Sequence, residues 1–210
     1  MSTTVTLNGG AAVAAPPSGL DVGVHRLEIT ALNRAGVAGV LDFGFGVAAP
    51  LLLNLAVPGR PGIGPVRRWM AERGTTVFVR LEAGRRRGRR AATLVDTLAP
   101  SYAYQAGQIR VVDGDTLDAA LGLGYGLGYA AKLRLAGVNT PELATVPGVD
   151  AAAWVRNWLV ARRGSVVVRT VKDRREKYGR YLATVEAGGE SLNEALLTAG
   201  VAVPYDGGRR

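Results

Sequence analysis

The segment V-V-D-G-D-T occupies residues 111–116, L-R-L-A-G-V-N-T-P-E follows at residues 133–142, and K-Y-G-R-Y lies at residues 177–181. In chain order these segments supply two aspartates, an arginine, an asparagine with a threonine, a glutamate and a second arginine. Oxygen ligands of these types suit calcium, and arginine forks match phosphate oxygens and stabilise the charge that develops on them. A carboxylate can orient or deprotonate water. The pattern therefore indicates metal-assisted cleavage of a phosphodiester bond.

Residues 108–205 resemble the staphylococcal nuclease (thermonuclease) family. The resemblance rests on the three segments above, on a helix rich in alanine and tryptophan, and on S-L-N-E-A-L-L-T-A-G-V-A at residues 191–202. Each segment alone is a weak signal, whereas their shared order and spacing are specific. The resemblance implies a five-stranded OB-type β-barrel with packed helices, which is an α+β fold, and calcium-dependent cleavage of DNA or RNA.

The resemblance also implies a set of metal ligands. Asp115 matches the aspartate that binds calcium, and Thr140 matches the threonine whose backbone carbonyl binds it. Asp113 matches a nearby aspartate that supports the ligands without binding the ion. The departure is Asn139, since the family carries an aspartate there. An amide oxygen still suits calcium, but one negative charge is lost, so we expect weaker binding.

The matching catalytic group consists of Arg134, Glu142 and Arg180. The resemblance implies that the two arginines hold the phosphate and that the glutamate acts as general base. Apart from the second metal-binding aspartate, all residue types of the family's site are thus retained in this chain.

The composition limits the chemistry. A net charge of +9, from 26 basic and 17 acidic residues, favours polyanionic partners such as nucleic acid, an acidic protein or a membrane surface. The alternative is a solvated basic face. The absence of cysteine excludes disulfides, thiolate zinc sites and thiol nucleophiles. We expect the single histidine, His25, to be a packing or surface residue.

Targeting signals are not evident in the sequence. The longest apolar run, residues 46–57, is interrupted by Pro50 and Asn54 and is shorter than the roughly 20 residues that cross a bilayer. The first nineteen residues lack the basic start and apolar centre of a secretory signal. An organellar matrix or the cytoplasm would both be compatible with this sequence.

The N-terminal half resembles a degenerate copy of the C-terminal half. The matching blocks are 29–46 with 109–126, at an offset of 80 positions, 66–80 with 155–169, and 88–95 with 179–185. Block order and spacing favour a duplication, and the alternative is chance similarity between segments rich in Ala, Gly, Val and Arg. We therefore predict two tandem OB-type domains of the nuclease family.

The first copy has lost the residues of the site. The replacements are Asn33 for Asp113, Ala35 for Asp115, Asn54 for Arg134, and Arg60 and Pro61 for Pro141 and Glu142, while Arg89 matches Arg180. Without the aspartates we expect no divalent-metal site there. Residues 1–105 carry 12 arginines against 6 acidic residues, and residues 106–210 carry 14 basic against 11 acidic residues. The greater charge excess lies in the degenerate copy, which suits docking.

The predicted domain boundaries follow from the duplication. They are an N-terminal extension at 1–25, the degenerate domain at 26–95, a linker at 96–107, the domain with the retained site at 108–206 and a tail at 207–210. The predicted strands are 26–32, 39–47, 51–57, 75–80 and 91–95 in the first domain and 108–112, 116–123, 129–136, 165–172 and 180–186 in the second. The predicted helices are 65–72, 150–162 and 192–199.

Two further features admit two interpretations each. The basic turn at residues 84–90 contains five arginines, Arg85, Arg86, Arg87, Arg89 and Arg90, which either bind a phosphate backbone or acidic surface or are simply solvated. Trp154 and Trp158 share one helix face and either stack on bases or pack the helix on the barrel.

Two functions are compatible with this sequence. In the first, the C-terminal domain is a calcium-dependent nuclease and the N-terminal copy is a basic binding module. In the second, the chain is a non-catalytic subunit that docks on proteins or nucleic acid in a large assembly, such as an organellar complex, a ribosome-like particle or a virion.

Overall fold

The computed structural model describes residues 23–33, 36–45, 47–60, 62–86, 89–97, 101–125, 127–162, 166–175 and 180–206. These residues form thirteen strands and three helices, which build two five-stranded barrels one after the other along the chain. This arrangement agrees with the predicted α+β class and with OB-type barrels.

The first barrel is built from the N-terminal half. Its elements are β1 (His25–Asn33), β2 (Gly36–Gly44), β3 (Val47–Ala56), α1 (Ile63–Arg73), β4 (Thr76–Arg86) and β5 (Arg89–Leu94). The strand order is β1-β2-β3-β5-β4, and pairing between β1 and β4 closes the barrel. Helix α1 ends at Gly74, whose φ of 83° is accessible to glycine at little cost.

The second barrel is built from the C-terminal half. Its elements are β6 (Ala103–Val111), β7 (Thr116–Gly124), β8 (Leu127–Leu135), β9 (Val138–Asn139), α2 (Val146–Ala161), β10 (Val166–Arg175), β11 (Tyr181–Ala187), β12 (Glu190–Ser191), α3 (Leu192–Thr198) and β13 (Val203–Pro204). The order β10-β6-β7-β8-β11 is closed by pairing between β10 and β11. Residues 117, 119, 121 and 123 of β7 are buried in alternation, as expected for a strand with one face on the core.

The two barrels repeat the same topology. Each has a three-stranded antiparallel meander, a parallel pairing of its third and fifth strands, and a helix between its third and fourth strands. Strands β2 and β7 lie 80 positions apart, as the alignment requires. The hairpins also match in detail, because Phe45 and Tyr125 both follow a glycine and both have left-handed backbone, with φ of 55° and 53°.

Each of these two hairpin aromatic residues contacts the other barrel. Phe45 stacks on Tyr129 with ring centroids 4.6 Å apart and meets the edge of Tyr181 at 4.7 Å. In the opposite direction, the Tyr125 hydroxyl donates to the Ala91 carbonyl at 2.7 Å. Tyr125 and Tyr129 are therefore packing residues.

Several predicted boundaries were wrong. Strand β2 occupies 36–44 rather than 39–47, and α2 begins at Val146 rather than 150, because Thr145 caps it. Strand β6 begins at Ala103, inside the segment predicted to be a linker. A bulge between Gly107 and Arg110 interrupts the regular side-chain alternation of that strand. The sequence pattern therefore does not indicate that residues 103–107 belong to the strand.

None of the helices in the described part of the chain has the length and apolar character needed to cross a membrane.

Candidate functional site

The turn between β6 and β7 carries the two aspartates. The Asp113 carboxylate accepts a hydrogen bond from the Asp115 amide at 2.9 Å, which fixes the turn. Gly114 lies between them, and a Cβ there would come within 2.7 Å of the Thr140 hydroxyl oxygen. Glycine at this position therefore allows Thr140 to approach the turn.

Asp115 is the central acceptor of the site and is only 5% exposed. Its Oδ2 accepts from the Thr140 amide at 2.9 Å and from the Thr140 hydroxyl at 3.1 Å. Its Oδ1 lies 3.1 Å from Nη1 of Arg134 and accepts from the Thr116 hydroxyl at 3.3 Å. Both carboxylate oxygens are thus bound by groups from three separate segments.

Arg134 lies near the end of β8 and is as deeply buried as Asp115. Besides the ion pair, its guanidinium donates to the Leu135 carbonyl at 3.1 Å and to Oδ1 of Asn139 at 3.3 Å. The ring of Tyr205 lies 5.8 Å from its Cζ. A buried pair of this kind is strongly destabilised when one partner is removed, because the other charge is left without compensation.

Arg180 reaches the same cluster from the start of β11. The parallel pairing of β8 with β11 places Leu182 opposite Arg134. Nη1 of Arg180 donates to the Thr116 hydroxyl at 3.0 Å, and that hydroxyl donates to Asp115. A continuous hydrogen-bonded chain therefore joins the two arginines through one threonine and one aspartate.

Glu142 lies two residues beyond Thr140 and is exposed. Its backbone carbonyl accepts from the Thr145 amide at 2.9 Å and from the Thr145 hydroxyl at 2.7 Å. A Cβ on Gly148 would come within 2.0 Å of the same carbonyl oxygen. The backbone of Glu142 is thus held against the start of α2, while its side chain faces solvent.

Burial raises the pKa of the Asp115 carboxyl above its ordinary value. The hydrogen bond from the Thr140 amide and the positive charge of Arg134 act in the opposite direction and lower that pKa, while the nearby Asp113 raises it further. A second cation beside Asp115 would favour the ionised carboxylate.

The donor set bears on the calcium prediction. Within the described residues, no three or more His, Cys, Asp or Glu side chains are grouped so as to hold a metal. Oxygens of Asp115 and Asn139 nevertheless meet at one cationic group, the guanidinium of Arg134. Both oxygens can therefore reach a shared cation. One carboxylate with neutral oxygens is a ligand set that a hard cation accepts, although its negative charge is smaller than that of two carboxylates.

The remaining predicted residues lie elsewhere. The side chains of Arg85, Arg86, Arg87 and Arg89 fall outside the described residues, and Arg90 lies over the ring of Tyr125 at 4.8 Å. Trp158 is buried and Trp154 packs partly buried against the core, which favours the packing interpretation. His25 is buried with its ring against Phe43, as a packing residue.

Sequence reasoning missed two residues of the cluster. The Thr116 hydroxyl joins Asp115 to Arg180, and its place in the V-V-D-G-D-T segment does not indicate this role. Tyr205 lies beside Arg134 because its amide donates to the Gly137 carbonyl at 3.0 Å. An isolated tyrosine near the end of the chain gives no signal of this in the sequence.

Comparison with known families agrees with the motifs. Residues 132–209 match the family model described as staphylococcal nuclease homologue. The comparison with curated proteins gave no match. The match includes both arginines, Asn139, Thr140 and Glu142, and it leaves the first barrel outside. Residues 132–209 are therefore similar to the staphylococcal nuclease homologue family.

Proposed function

We propose that the second barrel cleaves phosphodiester bonds in DNA or RNA with a bound calcium ion. The observation that supports this best is the hydrogen-bonded chain from Arg180 through Thr116 and Asp115 to Arg134. It joins the two arginines to the aspartate although the residues come from three separate segments. Two guanidinium groups beside one carboxylate suit a phosphodiester held next to a cation.

The residues of this chain would divide the work as follows. The guanidinium groups of Arg134 and Arg180 bind the non-bridging phosphate oxygens and stabilise the charge that grows there in the transition state. The exposed carboxylate of Glu142 orients a water molecule for in-line attack on the phosphorus atom and accepts its proton. The opposite P–O bond breaks, and the departing oxygen takes a proton from solvent water. The hydrogen bonds on Asp115 keep its carboxylate fixed while substrate binds.

Calcium would be held by the Asp115 carboxylate, the Asn139 amide oxygen and the Thr140 carbonyl, with Asp113 supporting the turn. When bound, the ion would supply positive charge to a phosphate oxygen. Asn139 gives this set one negative charge fewer than two aspartates would, so we infer weak binding.

The first barrel would serve as a basic binding module that arose by duplication of the second. The repeated strand order and the matched hairpins support the duplication. The arginine-rich turn, Arg85, Arg86, Arg87, Arg89 and Arg90, would contact the phosphate backbone, and such binding would weaken steeply with salt.

The test is digestion of single-stranded DNA and RNA by the purified chain with calcium or with a chelator. We expect calcium-dependent products, and we expect Glu142→Gln to reduce the rate on the order of 10²–10⁴-fold, the usual contribution of a general base. Glu194→Gln is the matched control, because Glu194 is an exposed glutamate on α3. Undiminished activity in Glu142→Gln, or no calcium-dependent product, would reject the proposal.

A second candidate is a non-catalytic subunit that docks on proteins or nucleic acid in a large assembly. The observation favouring it is that Arg134 already neutralises the charge of Asp115 and also donates a hydrogen bond to Oδ1 of Asn139. Both proposed calcium ligands are thus already bound by the same guanidinium group. Calorimetric titration with calcium separates the two functions. Binding by Asn139→Asp but not by the natural chain or by the surface control Asn157→Asp would favour the non-catalytic function.

A further inference from the structure

A cleft of about 620 Å³ opens on the first barrel between α1 and the segment that follows β3. Its apolar walls come from Val57, Pro58, Pro65 and Trp69. Asp96, two residues beyond the end of β5, closes one side. These walls are distant in sequence from the β6–β7 turn that carries the proposed catalytic site.

The second barrel shows what fills the corresponding place. There, α3 packs against α2, β9 and β11. Its residues Leu192 and Leu196 are fully buried. Asn193 fastens it to the barrel by donating to the Ala136 carbonyl at 2.8 Å and accepting from the Val185 amide at 3.1 Å.

Because the topology is repeated, the walls of the cleft on the first barrel correspond to the surface that α3 covers on the second barrel. Helix α1 corresponds to α2, the segment that follows β3 corresponds to the segment that follows β8, and the end of β5 corresponds to the end of β11. Between β5 and β6 the described residues, 95–97 with 101 and 102, contain no helix. The cleft therefore lies where the first barrel has no counterpart of α3 among its described residues.

The charges at the rim indicate the chemistry of an occupant. Arg73 is paired with Glu72 at 3.0 Å and with Asp96 at 3.3 Å, so these three groups together carry one net negative charge. Arg60 and Arg68 also line the cleft and are exposed, and no ion pair joins either of them to another described side chain. The excess charge at the rim is positive and complements an acidic partner.

The surroundings of Trp69 favour a helix rather than a nucleic-acid strand as the occupant of the cleft. The guanidinium of Arg73 covers its ring at 4.3 Å, so one face is taken by a side chain of the same helix. Stacking platforms for bases need an open aromatic face. The partly buried indole instead forms an apolar wall of the kind that receives leucine side chains in helix-in-groove recognition.

We propose that this cleft binds an acidic amphipathic helix of a partner protein, in the place that α3 occupies on the second barrel. Two leucines spaced as Leu192 and Leu196 would enter between Val57 and Trp69. Carboxylates on the flank of that helix would pair with Arg60 and Arg68. Docking is independent of calcium and of the proposed cleavage chemistry.

The test uses a fluorescent peptide with the sequence of residues 190–201, E-S-L-N-E-A-L-L-T-A-G-V, titrated with the full chain and followed by anisotropy. The blocking variant is Gly64→Leu, because a Cβ at Gly64 meets open space in the cleft and leucine is a better helix former than glycine. The matched control is Gly128→Leu, on an exposed strand position of the other barrel.

We expect the peptide to bind the natural chain and the Gly128→Leu control equally, and to bind Gly64→Leu at least about tenfold more weakly. A peptide with glutamate in place of Leu192 and Leu196 should not bind. Circular dichroism and thermal unfolding of Gly64→Leu establish that it is folded, so that weaker binding reflects the filled cleft.

Three results would overturn the proposal. One is the absence of binding by the natural peptide, and another is equal binding to Gly64→Leu. The third is loss of binding to a labelled oligothymidine in Gly64→Leu while peptide binding is unchanged, which would identify the cleft as a nucleic-acid site. Sedimentation of a dimer that Gly64→Leu abolishes would instead identify α3 of a second copy as the occupant.

Discussion

Gly114 separates the two aspartates, and its lack of a side chain allows Thr140 to bind Asp115. In Gly114→Ala the new Cβ would lie within 2.8 Å of three Thr140 side-chain atoms, so that side chain must move. We expect unfolding free energy to fall by about 1–3 kcal/mol, as for other overpacked sites. The proposed nuclease activity should fall with it, because the hydrogen bonds from Thr140 that fix Asp115 are lost. Urea unfolding and the digestion assay measure the two effects.

The matched control for this substitution is Gly128→Ala, where the nearest atom to a new Cβ is the Leu121 carbonyl oxygen at an ordinary 3.8 Å. We expect little change in stability or activity there. Equal stability of Gly114→Ala and Gly128→Ala would show that Thr140 leaves enough room for a Cβ at position 114, which contradicts the prediction.

At the scale of residues, the sequence predicted which residues form the cluster, but not which of them are joined by hydrogen bonds and ion pairs. The motifs identified Asp115, Arg134 and Thr140 by type and order, because each type has one obvious use at a phosphate site. The pairing of Arg134 with Asn139 could not be predicted, since it depends on how β8 and the segment after it turn back on each other. Contacts of this kind are determined by tertiary structure.

One buried polar side chain, Asn193, hydrogen-bonds helix α3 to the second barrel. The Asn193 amide group serves the Ala136 and Ala183 carbonyls and the Val185 amide, the last two on β11. In Asn193→Ala the Ala136 carbonyl and the Val185 amide lose this partner, whereas the Ala183 carbonyl keeps its bond from the Ala136 amide. We expect a loss on the order of 3 kcal/mol of unfolding free energy. Chemical denaturation measures it, and Asn157→Ala on the exposed face of α2 should leave stability nearly unchanged.

Asn193→Asp refines this prediction, because aspartate keeps the acceptor for Val185 but loses the donor. It should destabilise as well, since the two carbonyls would then face a carboxylate. If Asn193→Asp were as stable as the natural chain, the donor contacts would contribute nothing.

At the scale of elements, regular periodicity was predictable and its interruptions were not. Strand β11 alternates without a break between buried and half-buried residues, and its predicted range of 180–186 is close to the observed 181–187. Strand β6 contains a bulge with Gln108 at a φ of 47°, so the residues before it were interpreted as a linker. The basic turn at 84–90 was predicted from charge, which gives no information on where each arginine lies.

At the scale of the whole molecule, matched hairpins join the two barrels. Each hairpin carries an aromatic residue at the same position, and each aromatic residue packs on the other barrel. The Tyr104 hydroxyl adds a hydrogen bond to the Phe43 carbonyl at 3.0 Å across the same interface. Because the sequence repeat says nothing about which surfaces meet, this interface could not be predicted from the alignment.

The interface predicts that the barrels unfold together. Phe45 is 8% exposed and lies among Tyr104, Tyr129 and Tyr181 of the second barrel. Phe45→Ala removes that ring, and we expect a loss of about 3–5 kcal/mol, as for other buried phenylalanines. The lost contacts are those between the two barrels, so we expect the natural chain to unfold in one calorimetric transition and Phe45→Ala to unfold in two. Leu52→Ala, at an exposed position of β3, is the control and should keep one transition. A single, unshifted transition in Phe45→Ala would mean that the two barrels are not coupled through this ring.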